Sequence, residues 1–292
     1  MHTLGRSGST WLTKLLGHHP GIVSYRPYEH EPQVTRYWSD VVATLADPMS
    51  AAQSISPSPQ APPWWTGANR TVPPPDLEHD APGRWLEKDA VERVAELARG
   101  MVEGFYGHVA AEQRKPGATH FFERGGSWRS TAIAGELFPG LREVFLVRDL
   151  RDVLVSRFAF NRSVGGTVVG RHTVETDEQY VRDYMRREAD QLLDFWAARR
   201  DRSRMVRYED LVRQPVETLA GLFAYIGVDS DTATVERVLE SAERSDVEKQ
   251  ERHKTTPNLS ASIGRWRTDL DDGLREAAEE AFGEALAELG YS

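Results

Sequence analysis

The sequence predicts an α/β fold, a three-layer sandwich with a central, mostly parallel sheet, and three observations support this prediction. Short apolar segments typical of strands alternate with longer segments that have apolar residues at helical spacing. The segment 144–147 is apolar without interruption, as expected of a strand buried on both faces. A turn rich in glycine and hydroxyl residues, 5–10, separates a short apolar start from a helical pattern, which is a strand–turn–helix layout.

The remaining elements follow from the same periodicities. Apolar residues at helical spacing predict helices at 10–16, 34–45, 86–113, 131–137, 152–160, 177–200, 216–226, 231–245 and 274–289. Apolar or β-branched runs bounded by turn residues predict strands at 22–25, 119–124, 142–149 and 205–211. Only four residues precede Gly5, so the first strand is either very short or begins upstream of this sequence.

Composition limits the classes of protein to which the chain can belong. Its 292 residues suffice for one large domain, and we predict a single domain over 1–292. The net charge of −9 argues against general binding to nucleic acid or to an anionic membrane. The absence of cysteine excludes disulfides and thiolate metal sites, and no apolar run is long enough to span a membrane. We therefore expect a cytoplasmic, metal-independent protein, whose 31 arginines and five lysines are typical of a GC-rich bacterial genome. Its oligomeric state is not indicated.

Residues 48–85 interrupt the alternation and predict a long loop inserted into the domain. Prolines are frequent there, for example at 56–59 and 73–75, and this density excludes regular helix and central strand. Loops of this length are usually lids, binding segments or disordered. The adjacent Trp64 and Trp65 indicate that the loop covers a substrate as a lid, because an exposed pair of aromatic side chains is energetically unfavourable. The alternative is a flexible insertion without a function.

The turn Gly5-Arg6-Ser7-Gly8-Ser9-Thr10-Trp11 has the layout of a phosphate cradle. Backbone N–H groups in such a turn point at an anion, and the following helix contributes its positive N-terminal end. The turn is not a Walker A motif, which requires G-x-x-x-x-G-K-[ST], because no lysine precedes Ser9 and the cation Arg6 stands before the second glycine. We therefore expect a ligand other than ATP with Mg²⁺.

A second anion site is predicted at the end of the 142–149 strand. Arg148 falls at the carboxyl end, which is the edge where open α/β sheets bind ligands. Ser156 follows eight positions later on the next helix, and a guanidinium with a hydroxyl can hold a phosphate together. A plain salt bridge is the alternative role for Arg148. Two anion sites on one sheet edge predict a nucleotide phosphorylated at two places.

These motifs resemble those of sulfotransferases. The turn at 5–11 looks like the 5′-phosphosulfate loop of that family, and Arg148 with Ser156 looks like its 3′-phosphate site, with the same spacing. Residues 207–211 resemble the segment beside the adenine, and residues 262–267 resemble the C-terminal segment that closes over the nucleotide. The likeness is nearest to bacterial and tyrosyl-protein sulfotransferases, which carry arginine in the first loop.

The resemblance implies a P-loop nucleoside-triphosphate-hydrolase-like fold and the donor 3′-phosphoadenosine 5′-phosphosulfate (PAPS), with no metal. The acceptor would be a hydroxyl on a small molecule, a glycan or a lipid, attacked by in-line displacement. Arg6 would donate to the bridging oxygen of the leaving phosphate. The implied nucleotide-binding residues are Arg6, Ser7, Gly8, Ser9, Thr10, Trp11, Arg148, Ser156, Tyr208 and Arg265.

The general base has two main candidates, His120 and Glu29, and Glu31 is a third. In tyrosyl-protein sulfotransferases a glutamate follows the second strand, but the corresponding position here is Arg26. His120 follows Thr119 in a strand that resembles the Lys-Thr-His of the cytosolic enzymes. Each candidate also has a plain role, since Glu29 could pair with Arg26 and His120 could be an ordinary polar residue.

Two other functions stay open at the level of sequence. A P-loop small-molecule kinase would require the Walker lysine that the turn lacks. A catalytically inactive nucleotide-binding protein of the same fold would keep Arg148 and Ser156 but lack a working base, and Arg26 in the place of a glutamate is compatible with it.

Overall fold

The computed structural model describes residues 1–25, 32–46, 89–125, 128–166, 169–245, 256 and 258–291. Contacts divide the chain into two compact units. The first consists of residues 1–24, 117–122 and 142–292, and the second consists of 25–116 and 123–141. The predicted insertion at 48–85, with its two tryptophans, lies outside the described residues, and the prediction of one domain over 1–292 stays a prediction.

Every strand pair that the structure describes is parallel, and all of them lie in the first unit. The strands are β1 (Ile22–Ser24), β2 (His120–Phe122), β3 (Glu143–Val147) and β4 (Ser203–Arg207). β1 pairs with β2, and β3 pairs with β4. His2 adds an isolated parallel bridge to Phe145, where the first strand is predicted. The parallel pairing confirms the predicted α/β class.

Helices lie between these strands in the chain and also follow β4. In chain order they are α1 (Ser9–His18), α2 (Val34–Ala46), α3 (Ala90–Glu112), α4 (Trp128–Leu137), α5 (Leu150–Ser163), α6 (Asp177–Gln179), α7 (Arg186–Arg199), α8 (Tyr208–Arg213), α9 (Pro215–Ile226), α10 (Thr232–Arg244), α11 (Trp266–Asp269) and α12 (Asp272–Glu288). A π-helical stretch, Tyr180–Met185, joins α6 to α7. No helix within the described ranges is long and apolar enough to cross a membrane.

The core of the first unit has two faces, because successive side chains of β3 point to opposite sides. Val144 and Leu146 pack on one face in a cluster that includes Leu12 and Leu16 of α1. Phe145 packs on the other face with Val147, Leu192 and Leu289. All five residues of β3 are buried, as the uninterrupted apolar run predicts. Helices therefore cover both faces of this parallel pair.

Beyond shifts of a few residues at element ends, two segments differ from the prediction in their type of structure. The expected helix over 177–200 is interrupted by the π-helical stretch, whose Tyr180 hydroxyl and Met185 sulfur both contact the guanidinium of Arg157. The expected strand over 205–211 ends at Arg207, and α8 begins at Tyr208. Tyr180, Met185 and Tyr208 are buried at these places, and their contacts with distant residues are not contained in the local sequence pattern.

The second unit contains α2, α3 and α4, which pack around Val42, Ala98 and Leu137. The carboxylate of Glu123 accepts the backbone N–H of Thr35 in the first turn of α2 (2.9 Å) and the hydroxyl of Tyr106 (2.6 Å). Burial raises the pKa of Glu123 above its ordinary value. This carboxylate thus caps an otherwise unsatisfied helix N-terminus.

Candidate functional site

The turn before α1 has an unusual backbone conformation. Gly8 has φ = 89° and Arg6 has φ = 77°, both in the left-handed region. The carbonyl of Gly8 accepts the N–H groups of Trp11 (3.0 Å) and Leu12 (3.2 Å), so the helix begins directly after this glycine. The N–H groups of the first helical residues point out of the helix end, where they lack an intrahelical acceptor. The turn therefore presents the positive end of a helix, as a phosphate cradle requires.

Only glycine fits at position 8 of this turn. A Cβ atom there would lie 2.3 Å from Cδ2 of Tyr208, well inside van der Waals contact. The Tyr208 side chain is buried and packs directly on the turn. Two predicted site residues from distant parts of the sequence are thus in contact.

Arg6 links the turn to α5. Its Nε donates a hydrogen bond to Oγ of Ser156 (3.3 Å), and its guanidinium lies 4.6 Å from the ring centroid of Phe160. The carbonyl of Arg6 accepts a hydrogen bond from Nη1 of Arg148 (3.1 Å). The structure therefore brings together Arg6, Arg148 and Ser156, which the sequence assigns to two anion sites on one sheet edge.

The side chain of Arg148 is almost fully buried, with an exposed fraction of 5%. Its Nη2 donates to the carbonyl of Ser262 (2.5 Å), and its guanidinium lies 4.7 Å from the ring centroid of Tyr208. Nε of Arg148 is buried and has no hydrogen-bond partner within the described residues. Asp149 binds Arg151 and not Arg148, with Oδ2 2.9 Å from Nη2 of Arg151. The salt bridge to Asp149 that was considered for Arg148 is therefore made by Arg151.

Electrostatics favour an anion at this site. Burial, and after it the nearby guanidiniums of Arg148 and Arg157, lower the pKa of Arg6 to about 10. Arg6 stays protonated at neutral pH, so several positive charges lie close together in a poorly solvated place. A bound anion would relieve this repulsion.

Arg157 supports the turn from within the unit and is a residue that the sequence analysis did not assign. It is fully buried, its Nε donates to the carbonyl of Gly5 (3.3 Å), and its Nη1 is 2.5 Å from Oε2 of Glu188. The buried charge is therefore paired, as buried charges must be. Its position directly after Ser156 was the sequence signal that could have assigned Arg157 to the site. Its partner Glu188 lies 31 positions away in the chain, so the sequence pattern does not show the pairing.

The C-terminal segment 262–267, which we call the closing segment, also reaches this site. The hydroxyls of Tyr208 and Ser262 lie 2.9 Å apart, in addition to the contact of Arg148 with the Ser262 carbonyl. Arg265, which is predicted to bind the nucleotide phosphates, pairs with an acidic side chain of α11. Its Nη2 forms an ion pair with Oδ2 of Asp269 at 2.7 Å.

The other predicted nucleotide-binding residues belong to the turn and the start of α1. Ser7 and Ser9 are buried, and Thr10 is partly exposed. Trp11 is partly buried against the hydrophobic core, and Nζ of Lys14 lies 5.8 Å from its ring centroid. Trp11 therefore contacts the core, as its place in the helical pattern allows, whereas the resemblance implies a contact with the nucleotide.

Among the base candidates, the structure describes only His120. It lies in β2, is partly exposed, and its Nδ1 is 2.9 Å from Oγ1 of Thr119. Glu29 and Glu31, together with Arg26, lie outside the described residues. Within the ranges that are described, no three His, Asp or Glu side chains are grouped so that they could hold a metal ion.

Comparison with known proteins identifies the family. Residues 3–232 match the model of the sulfotransferase family. The chain belongs to this family. Its match to mouse carbohydrate sulfotransferase 5 has 31% identity over 52% of the chain, and its match to mouse carbohydrate sulfotransferase 3 has 27% identity over 52%. The chain spans only 42% and 34% of the length of these two curated relatives, and 21% of human carbohydrate sulfotransferase 1.

Solved structures show the same fold. A sulfotransferase domain from the curacin biosynthetic pathway is similar with a TM-score of 0.53 and 16% identity, covering 100% of this chain and 96% of that one. A mouse sulfotransferase in complex with PAP has a TM-score of 0.51 and 13% identity, covering 98% of this chain and 83% of that one. These similarities confirm the predicted sulfotransferase resemblance and the P-loop-like fold class.

Proposed function

We propose that this member of the sulfotransferase family transfers a sulfuryl group from PAPS to a hydroxyl acceptor. The observation that carries the proposal is the contact of two cationic segments. The Arg6 side chain donates to Ser156 and the Arg6 carbonyl accepts from Arg148, so the turn, α5 and the end of β3 are in contact. A nucleotide with charged groups on both its 3′ and 5′ arms matches this charge distribution.

The residues present fit such a nucleotide. The buried Nε of Arg148, which has no hydrogen-bond partner within the described residues, is a donor available to an anion. The turn has glycine at position 8 and leads into a helix N-terminus that has no side-chain cap, and this arrangement suits a second anion. We propose that Ser7, Gly8, Ser9 and Thr10 hold the 5′-phosphate. Arg148 and Ser156 would then hold the 3′-phosphate, with Tyr208 beside the adenosine.

When bound, PAPS supplies an activated sulfuryl group whose leaving group is a phosphate. Negative charge then grows on the oxygen that leaves, and fixed donors directed at that charge lower the barrier. Arg6 serves this role in our proposal, because its guanidinium is held in place by Ser156 and by the ring of Phe160. The positive end of α1 acts in the same direction.

Proton removal from the acceptor is assigned to His120 or Glu29. His120 is a partly exposed imidazole on β2, and one of its nitrogens is already within hydrogen-bond distance of Thr119. Such a partner can fix the ring orientation and tautomer of a base. Trp11 and Arg265 remain proposed nucleotide contacts on the basis of the resemblance alone.

The acceptor class and the setting of the reaction also belong to the proposal. Several curated relatives are named as carbohydrate sulfotransferases, which supports a sugar hydroxyl within the predicted classes of small molecule, glycan or lipid. The lack of cysteine supports a cytoplasmic location. We propose catalysis without a bound metal, because a sulfuryl group carries less charge than a terminal phosphoryl group.

Incubating the full chain with PAPS and a panel of sugar, lipid and aryl alcohols tests the proposed activity. We expect at least one acceptor to gain one SO₃ unit by mass spectrometry, and we expect turnover to persist in EDTA. Phosphorylation of an acceptor with ATP and Mg²⁺ would contradict the proposal and support a kinase. Tight binding of PAP without SO₃ transfer to any acceptor would support the inactive nucleotide-binding protein.

A further inference from the structure

The closing segment is attached to α5 by one buried carboxylate. Asp152, which has an exposed fraction of 1%, lies in the first turn of α5. Its Oδ2 accepts the backbone N–H of Gly264 (2.6 Å), and its Oδ1 accepts the backbone N–H of Trp266 (3.0 Å). Both carboxylate oxygens are therefore used by the same segment, which lies 112 and 114 positions away in the chain. Charge-assisted hydrogen bonds of this kind are among the stronger ones in proteins.

The attached segment forms part of the Arg148 environment. The carbonyl of Ser262 accepts from Nη2 of Arg148, and the hydroxyl of Ser262 lies next to that of Tyr208. Gly264, between Ser262 and Trp266, has φ = 77°, which turns the chain so that both N–H groups meet one carboxylate. The position of Ser262, and with it the orientation of the Arg148 guanidinium, thus depends on the attachment.

One face of α5 contacts both the turn before α1 and the closing segment. Asp152 and Ser156 are four residues apart, so they lie on the same side of the helix. Ser156 contacts Arg6 of the turn, whereas Asp152 holds the closing segment. A second contact strengthens the attachment, because the guanidinium of Arg151 lies 3.9 Å from the ring centroid of Trp266.

We infer that Asp152 is a positioning residue for the donor nucleotide. Its carboxylate holds the closing segment against α5, and this fixes Ser262 and the guanidinium of Arg148 for the 3′-phosphate. The nucleotide product PAP leaves when the attachment opens, so Asp152 controls the release of the bisphosphate. This inference rests on the proposed function and adds to it a residue and a step.

Asp152→Asn tests the inference. The amide keeps one acceptor oxygen but directs an NH₂ group at the other N–H, so one hydrogen bond is lost and replaced by repulsion. We expect the Kd for PAP to rise about 10-fold or more, mainly through faster dissociation in stopped-flow displacement, because losing a charge-assisted hydrogen bond has this size of effect. The Kd for adenosine 5′-phosphate (AMP), which lacks the 3′-phosphate, should change less than about threefold.

A matched control is Asp231→Asn. Asp231 also accepts a backbone N–H, that of Thr234 at 2.7 Å, but it caps α10 and has no contact with the closing segment. We expect this variant to bind PAP like the unaltered chain. If Asp152→Asn fails to fold, Ser262→Ala provides the second variant, because it removes the Tyr208 contact without altering α5, and it should also weaken PAP more than AMP.

Hydrogen exchange of residues 258–270 gives a readout that needs no nucleotide. We expect faster exchange in Asp152→Asn than in Asp231→Asn. Unchanged exchange, unchanged PAP release, or equal weakening of PAP and AMP would overturn the role of Asp152. Failure of the unaltered chain to bind PAP at all would instead overturn the proposed function, even if exchange shows that the attachment exists.

Discussion

Replacing Arg148 by alanine weakens the binding of PAP by about 100-fold or more, because about two charge-assisted hydrogen bonds to the 3′-phosphate are lost. The binding of AMP changes by less than about threefold, since AMP carries a hydroxyl and no phosphate at the 3′ position. Isothermal titration calorimetry with both nucleotides on the same preparation measures this difference directly. The comparison cancels any general loss of folded protein.

The control for this variant is Arg244→Ala. Arg244 forms an exposed ion pair with Glu240 on α10, so its replacement removes the same charge from the surface. We expect both nucleotides to bind this variant as they bind the unaltered chain. Equal losses of PAP and AMP affinity in Arg148→Ala would show that Arg148 does not read the 3′-phosphate.

Replacing Gly8 by alanine lowers the free energy of unfolding by about 2–4 kcal/mol and also weakens PAP binding. A side chain at φ = 89° is itself strained by about 1–2 kcal/mol, and the new methyl would lie 2.3 Å from the Tyr208 ring, so the ring or the turn must move. Urea unfolding followed by tryptophan fluorescence measures the stability. Calorimetry with PAP measures the binding.

Gly104→Ala is the matched control substitution, and we expect it to raise the free energy of unfolding where Gly8→Ala lowers it. Gly104 lies within α3, and apart from the backbone of that helix no atom of the described residues lies within 4 Å of an added Cβ. Alanine should therefore stabilise the helix by about 0.5–1 kcal/mol. PAP binding should stay unchanged in this variant. A Gly8→Ala protein as stable as the unaltered chain would contradict the close packing of the turn on Tyr208.

Much of the fold could be predicted because it depends on local periodicity. The buried run at 144–147, the turn ahead of α1 and most helix boundaries are visible in the order of apolar and polar residues. The π-helical stretch at 180–185 could not be predicted in this way. Its Tyr180 and Met185 contact the guanidinium of Arg157, which lies 23 and 28 positions away from them in the chain.

Part of the candidate site could likewise be predicted from the local sequence, and part of it could not. Arg6, Arg148 and Ser156 follow from motif spacing, and the register that sets Val147 opposite Arg207 explains why Arg148 and Tyr208 leave the strands side by side. Asp152 was visible in the sequence as one more acidic residue near a helix start. Its partners at 264 and 266 are backbone N–H groups, which carry no sequence signal.

The central claim is that one pocket accepts separate anions on the 3′ and 5′ arms of a nucleotide. Calorimetric titration of the unaltered chain with PAP and with adenosine 5′-diphosphate tests this claim most directly, because both ligands carry two phosphates in different places. We expect PAP to bind about 100-fold more tightly, from the hydrogen bonds of Arg148 and Ser156 to the 3′-phosphate. Equal affinity, or tighter binding of the diphosphate, would contradict the account.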